Sequence, residues 1–373
     1  MALKKNKWHA GIALDIGTTT IQAELVNLDT GESVDTLSVL NSQRSFGADV
    51  ISRISAAQSK KTNELFSAVN NQSEGILQHF ICKHDLLSIK KCAVSGNTTM
   101  LHLFCRADPS KMGSAPYTPE FLEERRFEGK ELLLSAEQVI LLPGISAFIG
   151  ADIAAGLTCI DILNKNDNTI FIDIGTNGEM ALLKKDAAYE SRKKLLCCST
   201  AAGPCFEGAD ISCNLNAADF IDAIAEMKRS AVIDKTGALA AQFAQNGFPV
   251  RDNKTVTQND VRQFQLAKSA IYSGIKLLCK KSGTELEKIK DVYITGGMGE
   301  HLNPESAAET GLLPREFASK AIVCGNLSLK GAAESLTDDA FLPRCRDVIS
   351  CAEIVDLAYD KYFIAAYTHN MKF

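Results

Sequence analysis

Two short segments of this sequence carry the same residue types in the same order. Each is an apolar run that ends in an aspartate and continues into a glycine and small polar residues: Asp15, Gly17, Thr18 and Thr19 in the first, and Asp173, Gly175, Thr176 and Asn177 in the second. A carboxylate fixed at the end of a buried strand can hold Mg²⁺ through its water molecules. A glycine lets a backbone N–H approach a phosphate oxygen closely, and the neighbouring side chains add donors. The pattern predicts a site for a magnesium-bound phosphate chain.

The two copies are spaced so that each opens one half of the chain. Asp15 and Asp173 lie 158 positions apart in a sequence of 373 residues. A single Asp-x-Gly-Thr turn is equally typical of a plain β-hairpin, but a repeat at half the chain length predicts two similar half-proteins. A later strand that ends in Gly296 and Gly297 would let an adenosine lie against the backbone. The Walker A sequence and a strand followed by Gly-x-Gly-x-x-Gly are both absent, which argues against P-loop and Rossmann folds.

Hydrophobic periodicity predicts the elements that must position these turns. The predicted strands cover residues 11–16, 21–28, 33–40, 91–95, 139–142, 169–174, 179–183 and 288–295, and the predicted helices cover 49–58, 62–85 and 260–280. Asn97 is suited to capping a helix that follows the fourth strand, and another helix is expected to begin near Asp152. The polar stretch 164–168 is the predicted domain boundary.

Composition and charge indicate a globular protein of two domains. Hydrophobic residues make up 46% of the chain, charged residues 23%, and 40 basic against 45 acidic residues give a formal net charge of −5. The negative balance argues against a nucleic-acid partner. The first ten residues lack the apolar core of a secretory signal, and the most apolar stretch, 132–153, is interrupted by charges and a proline, so no membrane partner is expected. These features predict a cytoplasmic location.

The 12 cysteines are expected to be reduced thiols in that compartment. No Cys-x-x-Cys motif occurs, and the spacing of Cys198, Cys205 and Cys213 fits no common iron–sulfur ligand pattern. We therefore predict no iron–sulfur cluster in this chain. Small buried hydrophobic side chains are the ordinary role of such cysteines.

The order of two phosphate turns and a later Gly-Gly pair resembles the actin-like ATPase (ASKHA) superfamily, which includes sugar kinases and chaperone ATPases. Longer motifs narrow the resemblance to the reductive activators of corrinoid proteins. These motifs cover residues 40–43, 46–53, 94–103, 115–117, 142–152, 173–179, 198–208, 311–314 and 325–332. Gly203, within the seventh of them, is a further candidate for nucleotide contact.

The resemblance implies an α/β protein with two ribonuclease-H-like lobes that bind Mg²⁺ and ATP. It implies that residues 1–168 form the first ATPase lobe and 169–354 the second, with a C-terminal helix over 355–371 packing back on the first lobe. The implied activity is reduction of an inactive cob(II)alamin-type corrinoid protein to cob(I)alamin in methyl-transfer and O-demethylation systems.

The implied partners are a corrinoid protein and a source of electrons. Family members carry an N-terminal [2Fe–2S] module before the ATPase part, whereas this sequence begins almost at the first turn. We therefore expect a separate electron donor, ferredoxin-like or another reductant. A homodimer is compatible with the resemblance.

Four acidic residues and the turn residues receive roles. Asp15 and Asp173 are assigned to Mg²⁺ and its waters, and the turn donors to phosphate oxygens. Glu179 could orient the hydrolytic water, although an exposed hairpin glutamate is equally typical. Asp152 is either a helix N-cap or the base of a small-molecule kinase, which is the first alternative function. A nucleotide-gated regulatory binding protein is the second.

Overall fold

The structure is a computed structural model. It describes residues 8–185, 194–203, 206, 215–251, 254–296 and 301–373. The chain divides into two compact units. Unit 1 contains Met1–Ile162 and Leu327–Ser350, and unit 2 contains Leu163–Asn326 and Cys351–Phe373. Unit 1 is therefore built from two segments of the chain, and most of unit 2 lies between them in the sequence.

Fourteen strands are defined within the described residues. In chain order they are β1 (Ala10–Ile16), β2 (Thr20–Asn27), β3 (Ser33–Leu40), β4 (Ile89–Gly96), β5 (Arg125–Glu128), β6 (Ala136–Leu141), β7 (Thr169–Ile174), β8 (Asn177–Lys184), β9 (Lys194–Ala201), β10 (Phe248–Pro249), β11 (Thr255–Val256), β12 (Asp291–Thr295), β13 (Ala321–Val323) and β14 (Ala352–Ile354).

Ten α-helices are defined within the same described residues. In chain order they are α1 (Val50–Ala56), α2 (Thr62–Lys83), α3 (Thr98–Phe104), α4 (Ala151–Cys159), α5 (Ala217–Arg229), α6 (Gln258–Ser282), α7 (Pro304–Thr310), α8 (Leu327–Ser335), α9 (Phe341–Cys351) and α10 (Lys361–Asn370).

Five strands of each sheet follow one topology, and the sixth strand lies at opposite edges of the two sheets. The sheet of unit 1 has the order β3-β2-β1-β4-β6-β5, and that of unit 2 has the order β13-β12-β7-β8-β9-β14. In each, the first three strands form an antiparallel meander and the next strand pairs in parallel with the first. This arrangement confirms the predicted α/β class with two ribonuclease-H-like halves, and it places the turns after β1 and β7 at equivalent positions.

Burial explains why these segments form central strands and packed helices. Strands β1 and β7 are almost continuously apolar and buried, as is typical of strands covered on both faces. The predicted helix over 260–280 is confirmed by α6, whose apolar side chains at helical spacing are fully buried in unit 2. Its start is fixed by a capping box between Thr257 and Asp260.

The C-terminal helix differs from the expectation. Residues 355–371 were assigned to packing on the first lobe, but α10 lies in unit 2, where it packs on α6. Polar side chains of α6 make this contact: Lys268 donates to the carbonyl oxygen of Asn370 at 2.7 Å, and Ser269 donates to that of Tyr367. The segment that returns to unit 1 is instead Leu327–Ser350.

Helix α8, at the start of that returning segment, packs closely on α4. A Cβ added to Gly331 would lie 2.8 Å from the carbonyl oxygen of Ala155, so glycine permits this approach. Leu329, Ala332 and Leu336 of the segment are buried in the core of unit 1. Among the described residues, no helix has both the length and the apolar character that a membrane span requires.

Candidate functional site

The turn after β1 is held through its backbone carbonyls. Asn41 donates from Nδ2 to the oxygen of Gly17 and from its backbone N–H to the oxygen of Thr19, both at 2.8 Å. The guanidinium of Arg53 donates to the oxygen of Thr18. A trans peptide directs its C=O and N–H in opposite directions. The N–H groups of Thr18 and Thr19 therefore point away from Asn41 and Arg53, which suits them to an oxyanion.

Arg53 is a residue to which the sequence assigned no role, although it lies in one of the family motifs. Its side chain is fully buried. It donates to the oxygen of Gly47 at 3.1 Å and contacts the sulfur of Met100 at 3.0 Å, in addition to Thr18. Because a buried guanidinium is tolerated only where hydrogen bonds satisfy it, these contacts fix the side chain. Arg53 thus positions the first turn from α1.

Asp15 is held by the segment that returns to unit 1. Ser328, in α8, donates from Oγ to Oδ1 of Asp15 at 2.8 Å, and its Oγ lies 2.9 Å from Oγ of Ser95. Ser95 is the parallel partner of Asp15 in β4. The sequence did not point to Ser328, because 313 positions separate it from the aspartate. Its only signal was membership of the motif over 325–332.

Asp152 lies in the first turn of α4, whose N-cap is Gly150 and not Asp152. A Cβ on Gly150 would come within 2.6 Å of Cα of Asn97, so glycine permits close packing at this helix start. Oδ1 of Asp152 accepts from the N–H of Ile153 at 2.9 Å. Burial, and then the negative charge of Asp15, raise the pKa of Asp152 to about 7. The carboxyl group can therefore gain or lose a proton near neutral pH.

Asn97 has the capping role that the sequence predicted. Its side-chain oxygen accepts from the N–H of Met100 at 3.0 Å and caps α3. Its Nδ2 also donates to Oγ1 of Thr18 at 3.1 Å. The cap of α3 is consequently one of the groups that orient the first turn.

The turn after β7 has the same construction but is one residue shorter. It closes with a hydrogen bond from Gly175 N–H to the oxygen of Asn177 at 3.0 Å, where the first turn closes from Gly17 to a residue one position further on. The N–H of Gly203 donates to the oxygen of Thr176 at 2.8 Å. Gly203 has a φ of +83°, which favours glycine. By the same peptide geometry, the N–H of Asn177 points away from Gly203.

Asp173, Glu179 and Gly296 lie together in unit 2. Glu179 is directly opposite Asp173 in the β7–β8 pair, so both side chains are on one face of the sheet. Glu179 is 8% exposed and accepts from Oγ of Ser199 at 3.2 Å, so it is not the exposed hairpin residue of the alternative interpretation. A Cβ on Gly296 would lie 2.5 Å from Oδ1 of Asp173. The glycine leaves the space that this carboxylate occupies.

The internal repeat extends to the strand that pairs in parallel with the first strand of each unit, which the sequence did not show. Gly96 ends β4 and Gly296 follows β12. A Cβ on Gly96 would lie 2.7 Å from the oxygen of Ile16, and one on Gly296 would lie 2.5 Å from the oxygen of Ile174. These glycines are 200 positions apart, whereas the aspartates are 158 apart. The unequal spacing concealed the relationship.

Several predicted residues fall outside this geometry. Gly297, Cys205 and Cys213 lie outside the described residues. Cys198 is buried in β9, and burial raises the pKa of its thiol well above the ordinary value. Among the residues that the structure describes, no three histidine, cysteine or acidic side chains are grouped to hold a metal ion.

The donors and acids of each unit fit one ligand chemistry. Two backbone N–H groups of the first turn and one of the second are directed away from the residues that hold the turn carbonyls. An aspartate precedes each turn glycine by two positions. N–H donors suit phosphate oxygens, and carboxylates suit the waters of Mg²⁺. The residues present therefore fit a phosphate chain with a hydrated divalent cation.

Two sheets of ribonuclease-H-like order, each with this turn, define the actin-like ATPase fold. The chain belongs to the RACo family. Residues 10–165 match the family model described as the RACo middle region. Residues 167–228 and 218–373 match the C-terminal domain of RACo, the ASKHA domain. The resemblance inferred from the sequence motifs is confirmed.

Individual relatives agree with this assignment. The chain is 28% identical to the corrinoid activation enzyme RamQ of Eubacterium limosum over an alignment of 432 positions. This alignment covers 99% of this chain and 71% of that protein. It is 26% identical to the [Co(II) methylated amine-specific corrinoid protein] reductase of Methanosarcina barkeri over an alignment of 405 positions. This alignment covers 92% of this chain and 72% of that protein. A solved structure, the reductive activator for corrinoid,iron-sulfur protein, is similar at a TM-score of 0.90 and 28% identity. This chain is covered to 98% and spans 66% of that one.

Proposed function

We propose that this chain is an ATP-dependent activator of a corrinoid protein, acting in the cytoplasm in methyl-transfer or O-demethylation systems. The observation that carries the proposal is the similarity over 98% of the chain, at a TM-score of 0.90, to a reductive activator for a corrinoid,iron-sulfur protein. The two equivalent turns support the ATP-dependent part of this activity. The corrinoid protein is the partner, and a homodimer is compatible with the family.

In this proposal the two turns hold the phosphate chain. Asp15 and Asp173 would hold Mg²⁺ through its waters, and the bound ion would neutralise charge on the phosphates. The remaining nucleotide contacts are proposed for small residues of both units: Gly17, Thr18, Thr19, Gly175, Thr176, Asn177, Gly203, Gly296 and Gly297. The peptide orientation that Asn41 and Arg53 impose presents N–H donors to the phosphate chain of the nucleotide. Donors fixed before the ligand arrives need little reorganisation on binding.

Glu179 is the proposed group for the hydrolytic water. Its carboxylate is almost fully buried on the face that carries Asp173. A carboxylate there can accept a hydrogen bond from a water molecule and orient it for attack on the terminal phosphate. The products are ADP and inorganic phosphate, and the water supplies the oxygen of the new P–O bond.

The electron and the ATP have separate roles. Reduction of cob(II)alamin to cob(I)alamin adds one electron to cobalt, which ATP hydrolysis does not supply. We assign that electron to a low-potential donor, ferredoxin-like or another reductant. Hydrolysis instead changes the affinity for the corrinoid protein, which is a coupling free energy between two binding sites.

A spectrum of the corrinoid protein tests the proposal. We expect the cob(I)alamin band to appear when this chain, Mg-ATP and a low-potential reductant are all present, and to be absent when any one is withheld. Asp173→Asn should abolish ATP hydrolysis and the band, whereas Asp167→Asn, at an exposed position before β7, should leave both unchanged. A band that forms equally without ATP would contradict the proposal.

A small-molecule kinase is the second candidate, and Asp152 is the observation that favours it. A carboxyl group with a pKa of about 7 is suited to accept the proton of an attacking hydroxyl. Incubation with ATP and pooled metabolites separates the two functions. A phosphorylated metabolite that Asp152→Asn no longer forms would support the kinase. Free phosphate alone, stimulated by corrinoid protein, would support the activator.

A further inference from the structure

Unit 2 contains a cavity of about 260 Å³ that shares no residue with the turns. It lies where the C-terminal ends of α5, α7 and α10 meet the middle of α6. Four basic residues line it: Lys228, Lys268, Arg315 and Lys372. The acidic residues in its lining are Glu309 and Glu316. Basic side chains are therefore in excess.

The two inner lysines are held by helix ends. Lys228 donates from Nζ to the carbonyl oxygen of Glu309 at 2.5 Å, at the end of α7. Lys268 donates from Nζ to the carbonyl oxygens of Asn370 at 2.7 Å and Lys372 at 2.6 Å, at the end of α10. Cations stabilise these ends of helices. This contact explains how Lys268 is accommodated at 2% exposure, but each helix end carries only about half a negative charge.

The side-chain charges around the cavity do not balance. The carboxylate of Glu309 is paired with Arg229, which does not line the cavity. Across the described ranges, none of the ion pairs involves any of the four lining cations. Two helix ends and Glu316 together offset about two of the four positive charges. A positive excess remains in the lining, even when the terminal carboxylate of Phe373 is counted against it.

Electrostatic repulsion within the cavity agrees with this balance. Burial, and then the positive charge of Lys228, lower the pKa of Lys268 to about 8. Burial, and then the charge of Arg315, lower the pKa of Lys228. Like charges that face one polar cavity are stabilised by an anion that binds among them.

We propose that this cavity binds a phosphate dianion, either free orthophosphate or the phosphate group of a small monoester. The positive excess of the lining attracts a phosphate dianion. Arg315 offers the planar donor pair that suits phosphate oxygens, and the lysines act as point charges. The remaining volume accommodates a small organic group on the phosphate.

Calorimetry on the full chain tests the site. Mg²⁺ and a non-hydrolysable ATP analogue are added first so that the nucleotide turns are occupied. Orthophosphate and glycerol 3-phosphate are then titrated separately at constant ionic strength. We expect one saturable site, and the tighter of the two ligands identifies whether the free ion or the monoester is preferred.

Variants locate the binding. Arg315 and Lys372 are exposed, so the double variant Arg315→Gln/Lys372→Gln is expected to fold, and it should bind at least tenfold more weakly. The matched control Lys290→Gln, at an exposed lysine of unit 2 outside the cavity, should bind as the parent does. Unchanged affinity in the double variant, no heat with either ligand, or equal affinity for chloride would overturn the proposal.

Discussion

Arg53 donates a hydrogen bond to the backbone oxygen of Thr18, 35 positions earlier in the chain. This contact joins α1 to the turn after β1, and Asn41 completes it from the end of β3. Both side chains bind backbone carbonyl oxygens of the turn. Because each peptide is planar and trans, fixing its carbonyl also fixes the direction of its N–H group. The face that we propose to bind phosphate is thus oriented by residues that lie on the other side of the turn.

Replacing Arg53 should disorder the first turn. Arg53→Lys keeps the charge but loses the planar fork that reaches Gly47 and Thr18 together. A lost hydrogen bond to a buried charged group costs about 1.5–3 kcal/mol, so we expect ATP affinity to fall about tenfold or more. Titration calorimetry with Mg-ATP measures the change. Arg44→Lys, a nearby arginine on the same connection, should bind ATP normally, and equal losses in both variants would contradict this role.

Ser328 should matter for hydrolysis more than for stability. Ser328→Ala removes the hydroxyl that donates to Asp15, and the loss of one such bond costs about 1 kcal/mol. We expect a lower apparent affinity for Mg²⁺ in the ATPase assay, with partial recovery in Ser328→Thr. Ser335→Ala removes a hydroxyl that donates to the carbonyl oxygen of Ala332 in the same helix. That control should retain the parent's magnesium dependence, and a Ser328→Ala enzyme that also retains it would exclude the positioning role.

Asp152 should make stability depend on pH. Its pKa rises from an ordinary 3.8 to about 7 in the folded protein. Between those values the folded state retains a proton that the unfolded state has released, so the free energy of unfolding falls as pH rises from 4 to 7 and then levels. Asp152→Asn should remove this part of the slope in urea unfolding at pH 5, 6, 7 and 8. Asp339→Asn, at an exposed site, should keep the slope, and identical profiles for the parent and Asp152→Asn would refute the assignment.

Replacing either of two glycines by alanine should change stability, in opposite directions at the two positions. Gly331→Ala places a Cβ 2.8 Å from the oxygen of Ala155, and such overpacking costs about 1–3 kcal/mol. Gly75→Ala lies on the exposed face of α2 with open space around it, and should stabilise by about 0.5–1 kcal/mol through helix propensity. Thermal unfolding of both variants measures the difference. A Gly331→Ala protein as stable as the parent would show that α4 and α8 separate without cost.

Sequence periodicity predicted the elements that depend on local pattern. The apolar runs before Asp15 and Asp173 form β1 and β7, and the repeated turn correctly indicated a repeated sheet. The amphipathic helix over 260–280 was also recovered, because its buried face recurs at helical spacing. These features are encoded within a few adjacent residues.

Contacts that depend on distant segments were not predictable in this way. Arg53 reaches Thr18 and Ser328 reaches Asp15 across long sequence separations, and no spacing rule selects these partners. The placement of α10 failed for a related reason. Its carbonyls are held by polar side chains on the buried face of α6, where periodicity reads only the apolar residues.

Unit 1 is formed from two separate segments of the sequence, and this affects how it folds during synthesis. Residues 1–162 leave the ribosome before Leu163–Asn326, the larger segment of unit 2, and Leu327–Ser350 follows only after that segment. At about 5–20 residues per second, that interval lasts about 10–30 s. During it, the apolar surface destined for Leu329, Ala332 and Leu336 stays uncovered. Until Leu327–Ser350 is synthesised, this apolar surface of unit 1 is therefore available to a holding chaperone.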